Sequence, residues 1–219
     1  VPSVLDGVAD FAYNTASKRF KHSETGRFLS EQQAIALIDG SIIRNKENLQ
    51  SLAANLSSGK IDLVDFVTQS SQSIKDLHIL NAVKALDGRG DRISADQLKV
   101  ITDRVKSQLS GGKNPITGDR FGVKYLVRDI VKGDLSEAQL KNRLRMYANS
   151  GDLTQKHVEA SSKKEEGMTE GLRLLSPTDS HCQECVDLSG LGWVSLSALV
   201  IPGDQCSCRS NCKCAIEYR

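Results

Sequence analysis

Thr178-Asp-Ser-His-Cys182-Gln-Glu-Cys185 and, beyond a segment containing Trp193, Cys206-Ser-Cys208-Arg-Ser-Asn-Cys212-Lys-Cys214 form the stretch from which the rest of the chain is read. All six cysteines of the 219-residue chain lie here, and none precedes Cys182. A Cys-x-x-Cys pair presents two thiolates from a tight turn, and the second group can supply two more. Thiolates at these spacings suit a tetrahedral zinc ion, whose coordination closes a loop-rich unit with too little apolar surface to fold alone. The expected site is a structural zinc knuckle on Cys182, Cys185, Cys208 and Cys212. Cys214 competes for the last place, and Cys206 is the least suited. One zinc takes four thiolates, so two cysteines are spare or otherwise bound. His181 adjoins Cys182 as a ligand or outer donor, although a sequence neighbour usually points elsewhere. A disulfide framework is the alternative.

Composition bounds the remainder. Hydrophobic residues make up 39% and aromatics 5%, which suits helical packing rather than one large aromatic core. A net charge of +2 is close to balance and argues against a dedicated nucleic-acid binder, which would carry a strong basic excess. No apolar run approaches membrane-spanning length, and Val1-Pro2-Ser3 does not open a secretion signal. The expected compartment is therefore reducing, which favours cysteine–metal over cysteine–cysteine bonding.

The expected architecture is mainly α: an extended N-terminal arm (1–29), a multi-helix body (30–175) and a cysteine-rich zinc-binding module with short β-strands (176–219). In the arm, Phe11, Tyr13, Phe20 and Phe28 are the only anchors among charge and turn formers, so it is read as laid on a neighbour. Ser30-x-x-Gln33, Ser94-x-x-Gln97 and Ser136-x-x-Gln139 have the form of capping boxes, in which side chains satisfy orphan amides at a helix start. The first opens a helix with Ala34, Ile35, Leu37 and Ile38. A second segment follows Gly40, with Ile42, Leu49, Leu52 and Leu56 on one stripe, and stops at Ser57-Ser-Gly59. Ile61–Leu86 is one long helix or two shorter ones with Ser70-Ser-Gln-Ser73 as the weak point. The second box starts a helix burying Leu98, Ile101, Val105 and Leu109, ended by Gly111-Gly112. After the Asn114-Pro115 loop, a helix is expected over Asp119–Lys132. The third box starts a helix with Leu140, Leu144 and Tyr147, stopping at Ser150-Gly151. A polar helix then runs over 154–175 to the break at Ser176-Pro177. In the tail, a short strand is expected at Gly190–Leu196 with Trp193 covering the site, and a terminal strand at Ala215–Tyr218.

Several tempting motifs reduce to local chemistry. Asp87-Gly-Arg-Gly-Asp91 fails as a calcium loop because Arg89 holds the third ligand position and Leu98 the twelfth. Arg89-Gly-Asp91 is a chance tripeptide, and both readings collapse to a turn. Lys141, Arg143 and Arg145 form a basic helix face, which Asp134, Glu137 and Asp152 flank as on an ordinary solvated surface. His181 and Cys182 lack the orienting group and oxyanion pocket that a nucleophile–base pair needs, and four saturating ligands leave a zinc no open position. No phosphate loop, triad or paired carboxylate is recognisable, so an enzyme is not expected.

The chain resembles the minor head, or head morphogenesis, proteins of tailed bacteriophages. The likeness lies in Ser23-Glu-Thr-Gly-Arg-Phe-Leu-Ser30, Leu135-Ser-Glu-Ala-Gln-Leu140 and Arg145-Met-Tyr-Ala-Asn149. It continues in His181-Cys-x-x-Cys185, Gly192-Trp193, Pro202-Gly-Asp204, Cys208-x-x-Asn-Cys-Lys-Cys214 and Glu217-Tyr-Arg219. The cysteine pattern is its specific part. Arg209 stands where many members have a histidine; the resemblance then gives that role to Cys208 and makes Cys206 an extra. It implies a virion structural protein assembled in the host cytoplasm. Its partners would be the portal or the major capsid protein, at or near the portal vertex or inside the capsid, in many copies. The alternative is a zinc-knuckle nucleic-acid-binding protein, with Arg209, Lys213 and the basic helix face on phosphates.

Overall fold

The computed structural model describes residues 8–113, 118, 120–177 and 180–219. The chain begins as an antiparallel meander of three short strands: β1 (Phe11–Asn14), β2 (Arg19–His22) and β3 (Phe28–Leu29). Phe11 and Tyr13 share a face by strand alternation, and Phe20 joins them because it pairs with Tyr13. Phe11 and Phe20 are buried with ring centroids 5.6 Å apart, edge to face. The Arg89 guanidinium lies 3.5 Å from the Tyr13 ring centroid. This segment is not an arm laid on a neighbour. Its own aromatic face closes on the helical core of the same chain, and each buried ring contributes about 2 kcal/mol.

The body is mainly helical, as expected. α1 (Glu31–Ser57) and α2 (Leu63–Lys84) are each continuous. Gly40 does not break α1, because the stripe of Ala34, Ile38, Ile42, Leu49 and Leu52 is buried along its whole length and packing outweighs the local propensity cost. Ser70 does not break α2 either: it is fully buried, and its hydroxyl donates to the Val67 carbonyl of its own helix. The Asp87–Asp91 segment is a turn in which Asp87 and Gly88 have positive φ and Arg89 binds the Asp91 carboxylate through two hydrogen bonds.

α3 (Ala95–Ser110) is followed by β4 (Gly112–Lys113) and β5 (Arg120–Phe121), a two-stranded ribbon, and then by α4 (Val123–Val131). The helix expected over Asp119–Lys132 therefore starts later; Asn114-Pro115 and Asp119 lie outside the described residues. Gly111, at φ +78°, is required here: a Cβ would sit 2.3 Å from the Phe121 carbonyl oxygen. All three capping boxes form, with hydroxyl and amide side chains exchanging hydrogen bonds with each other's backbone.

α5 (Glu137–Glu165) is the longest element and runs straight through Ser150-Gly151. Gly151 is a close-approach residue rather than a stop, since a Cβ there would lie 2.6 Å from Asn81 Nδ2 and 3.1 Å from the Leu77 carbonyl oxygen on α2. Beside it, His78 bridges the helices. Ser150 Oγ donates to the Tyr147 carbonyl at 2.6 Å, so its 3.3 Å contact with His78 must be Nε2–H donating to the hydroxyl. His78 Nδ1 then accepts from Thr154 Oγ1 at 2.6 Å. α1, α2 and α5 pack together as the centre of the body, and α3 and α4 close its side.

The expected helix over 154–175 divides. α5 ends at Glu165, Gly167 turns the chain at φ +95°, and β6 (Glu170–Leu174) begins. β6 is the central strand of a second antiparallel sheet. It is flanked by β7 (Trp193–Ser195) and β8 (Ala215–Tyr218), and α6 (Gln183–Gly190) lies between β6 and β7 in sequence. β8 matches the expected terminal strand, and β7 occupies only the middle of the expected Gly190–Leu196 strand because Gly190 still belongs to α6. No helix among the described residues is long and apolar enough to cross a membrane.

Candidate metal centre

Four segments bring the cysteines together. Cys182 is the N-cap of α6 and Cys185 lies in its first turn, with the Cys185 amide donating to the Cys182 carbonyl at 3.0 Å. This is the same N-cap to N3 relation that pairs serine and glutamine in the capping boxes, so both sulfurs leave one end of the helix. Pro202-Gly203-Asp204 then turns the chain back, and Cys206 and Cys208 follow. A one-turn 3-10 helix (Arg209–Asn211) delivers Cys212, and Cys214 precedes β8. The Ser207 hydroxyl donates to Glu184 at 2.7 Å, which ties the second cysteine group to α6 and pulls the Glu184 carboxyl down to about 2.

The sulfurs fall into two overlapping groups. Those of Cys182, Cys185, Cys206 and Cys208 all lie within 4.8 Å of one another, and so do those of Cys185, Cys212 and Cys214. Cys185 belongs to both. Its sulfur is 3.9 Å from that of Cys208 and 3.7 Å from that of Cys212. Four thiolates at zinc bonding distance define a tetrahedron with edges of about 3.8 Å, so these separations fit a bound ion. All six thiols are free of disulfides, and Cys185, Cys206, Cys212 and Cys214 are buried. The cluster could hold a metal ion.

Of the four expected ligands, Cys182, Cys185 and Cys208 share one group, but its fourth member is Cys206; Cys212 lies in the second group with Cys214 and Cys185. Cys206, the least suited by spacing, is fully buried inside the four-membered group. His181 points elsewhere, with Nε2 donating to the Ser176 carbonyl at 2.7 Å. Trp193 does not cover the site. It pairs with Leu172, so it lies on the face of β6 opposite Arg173, beneath the Arg219 guanidinium at 4.3 Å.

Arg173 is the residue that sequence reasoning missed. It alternates with Leu172 and Leu174 on β6 and is buried, with Nη2 at 3.4 Å from the Cys185 sulfur, 3.4 Å from Cys212 and 3.7 Å from Cys206. Its Nη1 donates to the Val200 carbonyl at 3.4 Å, while its buried Nε has no acceptor. Burial works to lower its pKa, but hydrogen bonds with Cys214 and Cys212 and the charge on Cys185 outweigh that and hold the guanidinium protonated. A buried cation donating to these sulfurs favours their thiolate form. Burial drives the Cys185 thiol far up, so a cation must pay for its deprotonation. Cys208 is likewise raised by burial. Cys182 is lowered: burial opposes this, yet hydrogen bonds from Cys208 and the Cys185 backbone prevail. A buried set of sulfurs around a guanidinium, at separations that suit tetrahedral coordination, fits a thiolate-bound ion.

The module is fixed to one stripe of α5. Asn149 donates to Asn211 at 3.0 Å, Lys156 to the Cys212 carbonyl at 2.9 Å, and His157 contacts Asp204 at 2.7 Å. Arg104 of α3 reaches the same carboxylate at 2.8 Å. Comparison with family models, curated protein sequences and solved structures finds no match to this chain.

Proposed function

We propose that this chain is a structural, non-enzymatic component of a tailed-bacteriophage particle, a minor head protein acting in head assembly at or near the portal vertex or the inner capsid. The observation that carries the reading is the convergence of the tail cysteines. The residues bearing the specific part of the resemblance meet around one buried point and are held against α5. In this reading the ion is zinc, which an all-sulfur donor set with tetrahedral spacing suits. Cys182, Cys185, Cys206 and Cys208 supply a full set of four. The ion would cross-link α6 to the following loop and hold the C-terminus as one rigid contact surface for the portal or the major capsid protein, in multiple copies.

Mass spectrometry of purified particles tests this. The chain is expected in the virion at more than one copy, and to stay with the portal or shell when particles are dissociated. Its absence from particles, while abundant in the lysate, overturns the reading.

A second reading has one observation of its own. A cleft of about 430 Å³ is lined by Arg120, Arg128, Arg143 and Arg209, with Asp129 as its one carboxylate. Such a cleft suits phosphate groups, and a nucleic-acid-binding role predicts DNA association that weakens steeply with salt and is weaker, with a shallower salt slope, in Arg120→Ala.

A further inference from the structure

We infer that the six cysteines hold two divalent ions in one binuclear thiolate centre, with Cys185 as a shared, bridging ligand. The inference rests on the metal reading above and deepens it. One tetrahedral ion is satisfied by Cys182, Cys185, Cys206 and Cys208, which leaves Cys212 and Cys214 buried with their sulfurs against Cys185. Two four-coordinate ions need eight ligand positions, and six thiolates fill eight only when two of them bridge. Cys185 is placed for one bridge, as the sulfur common to both groups. No other sulfur is common to both groups, so Cys185 alone bridges and the ion on Cys185, Cys212 and Cys214 completes its coordination with a non-protein donor such as water.

Charge is compatible with the same count. Six thiols and two divalent ions give six released protons and a core of charge two minus, of which the Arg173 guanidinium offsets one. A single ion would leave two of the six sulfurs either as buried neutral thiols or as buried thiolates sharing one arginine. The guanidinium sits at hydrogen-bonding distance from three sulfurs, as a donor to metal-bound thiolates would. The 3.7 Å and 3.9 Å separations from Cys185 lie on opposite sides of this account, one edge for each ion.

Native mass spectrometry of the full chain, purified with zinc supplied, counts the ions directly. Two ions per chain are expected. Cys214→Ser should fall to one ion while remaining folded, because the first group is complete without it; Cys185→Ser should lose both. Cadmium NMR of the exchanged protein should show two resonances coupled to each other through the shared sulfur. One ion per chain in the wild type, unchanged by Cys214→Ser, overturns the binuclear centre and makes Arg173 the second cation, with the single zinc site intact. Two uncoupled resonances also overturn it. A chain that binds no ion removes both this centre and the single-ion reading.

Discussion

Arg173 Nη2 stands 3.4 Å from the Cys185 sulfur, a buried cation from the central strand against the first turn of the helix that follows it. The pair links β6, which precedes the cysteine tail, to the ligands inside it, so the tail is assembled around a residue outside its own motif.

Replacing Arg173 should therefore injure the metal centre without touching a ligand. Arg173→Leu is expected to lower metal affinity by about 10–100-fold, as loss of a group that hydrogen-bonds the ligands does. Arg173→Lys should recover little, because one ammonium cannot serve both the sulfurs and the Val200 carbonyl as Nη2 and Nη1 do. Competition against a chelator with a colorimetric readout measures both.

Gly151→Ala and Gly40→Ala should move stability in opposite directions. The first forces a Cβ to 2.6 Å from Asn81 Nδ2 and should cost about 1–3 kcal/mol. The second meets only the flexible Arg44 Nη1 at 3.4 Å and should gain up to about 1 kcal/mol from helix propensity. Urea denaturation followed by far-ultraviolet dichroism gives both signs.

His78 makes stability depend on pH. Burial, with the positive charge of Arg104 second, lowers its pKa to about 4, and its hydrogen bonds fix the neutral form. The folded value lies below the unfolded one, so the unfolded chain takes up the proton first. This contribution is complete above about pH 6.5 and is lost as pH falls toward 4, roughly 3 kcal/mol in all. Denaturation midpoints between pH 7 and 4.5 should fall accordingly, and His78→Gln should flatten the slope over that window.

Phe11→Ala tests the N-terminal meander. A ring buried in the core predicts a loss of about 3–5 kcal/mol and a lower thermal midpoint, whereas an arm awaiting a partner predicts no change in the isolated chain.

The helix starts were legible because Ser30, Ser94 and Ser136 carry their signal within four residues. The helix ends were less so. Gly40 and Gly151 look like stops to any local reading, and only the neighbouring helices reveal that one is tolerated and the other makes room for α2. At 154–175, Val158 belongs to helical spacing and Leu172 to strand alternation, and merging them hid β6 and with it Arg173. The N-terminal aromatics stand out in the sequence, but no short-range pattern tells whether their face meets a neighbour or the chain's own core. The cysteine centre was legible in kind from spacing alone. Its membership was not, because Cys206 and Cys212 take their places from the turn at Pro202-Gly203 and the 3-10 turn after Cys208, neither of which spacing encodes.

The unbroken course of α5 has a mechanical consequence. At 29 residues it is a rod of about 44 Å, gripped by α1 and α2 along much of its length and carrying the thiol centre on one stripe of its side. Load applied to the C-terminal surface passes through Asn149, Lys156 and His157 into that rod with no hinge between. A pull on the tail is thus borne by the middle of the bundle.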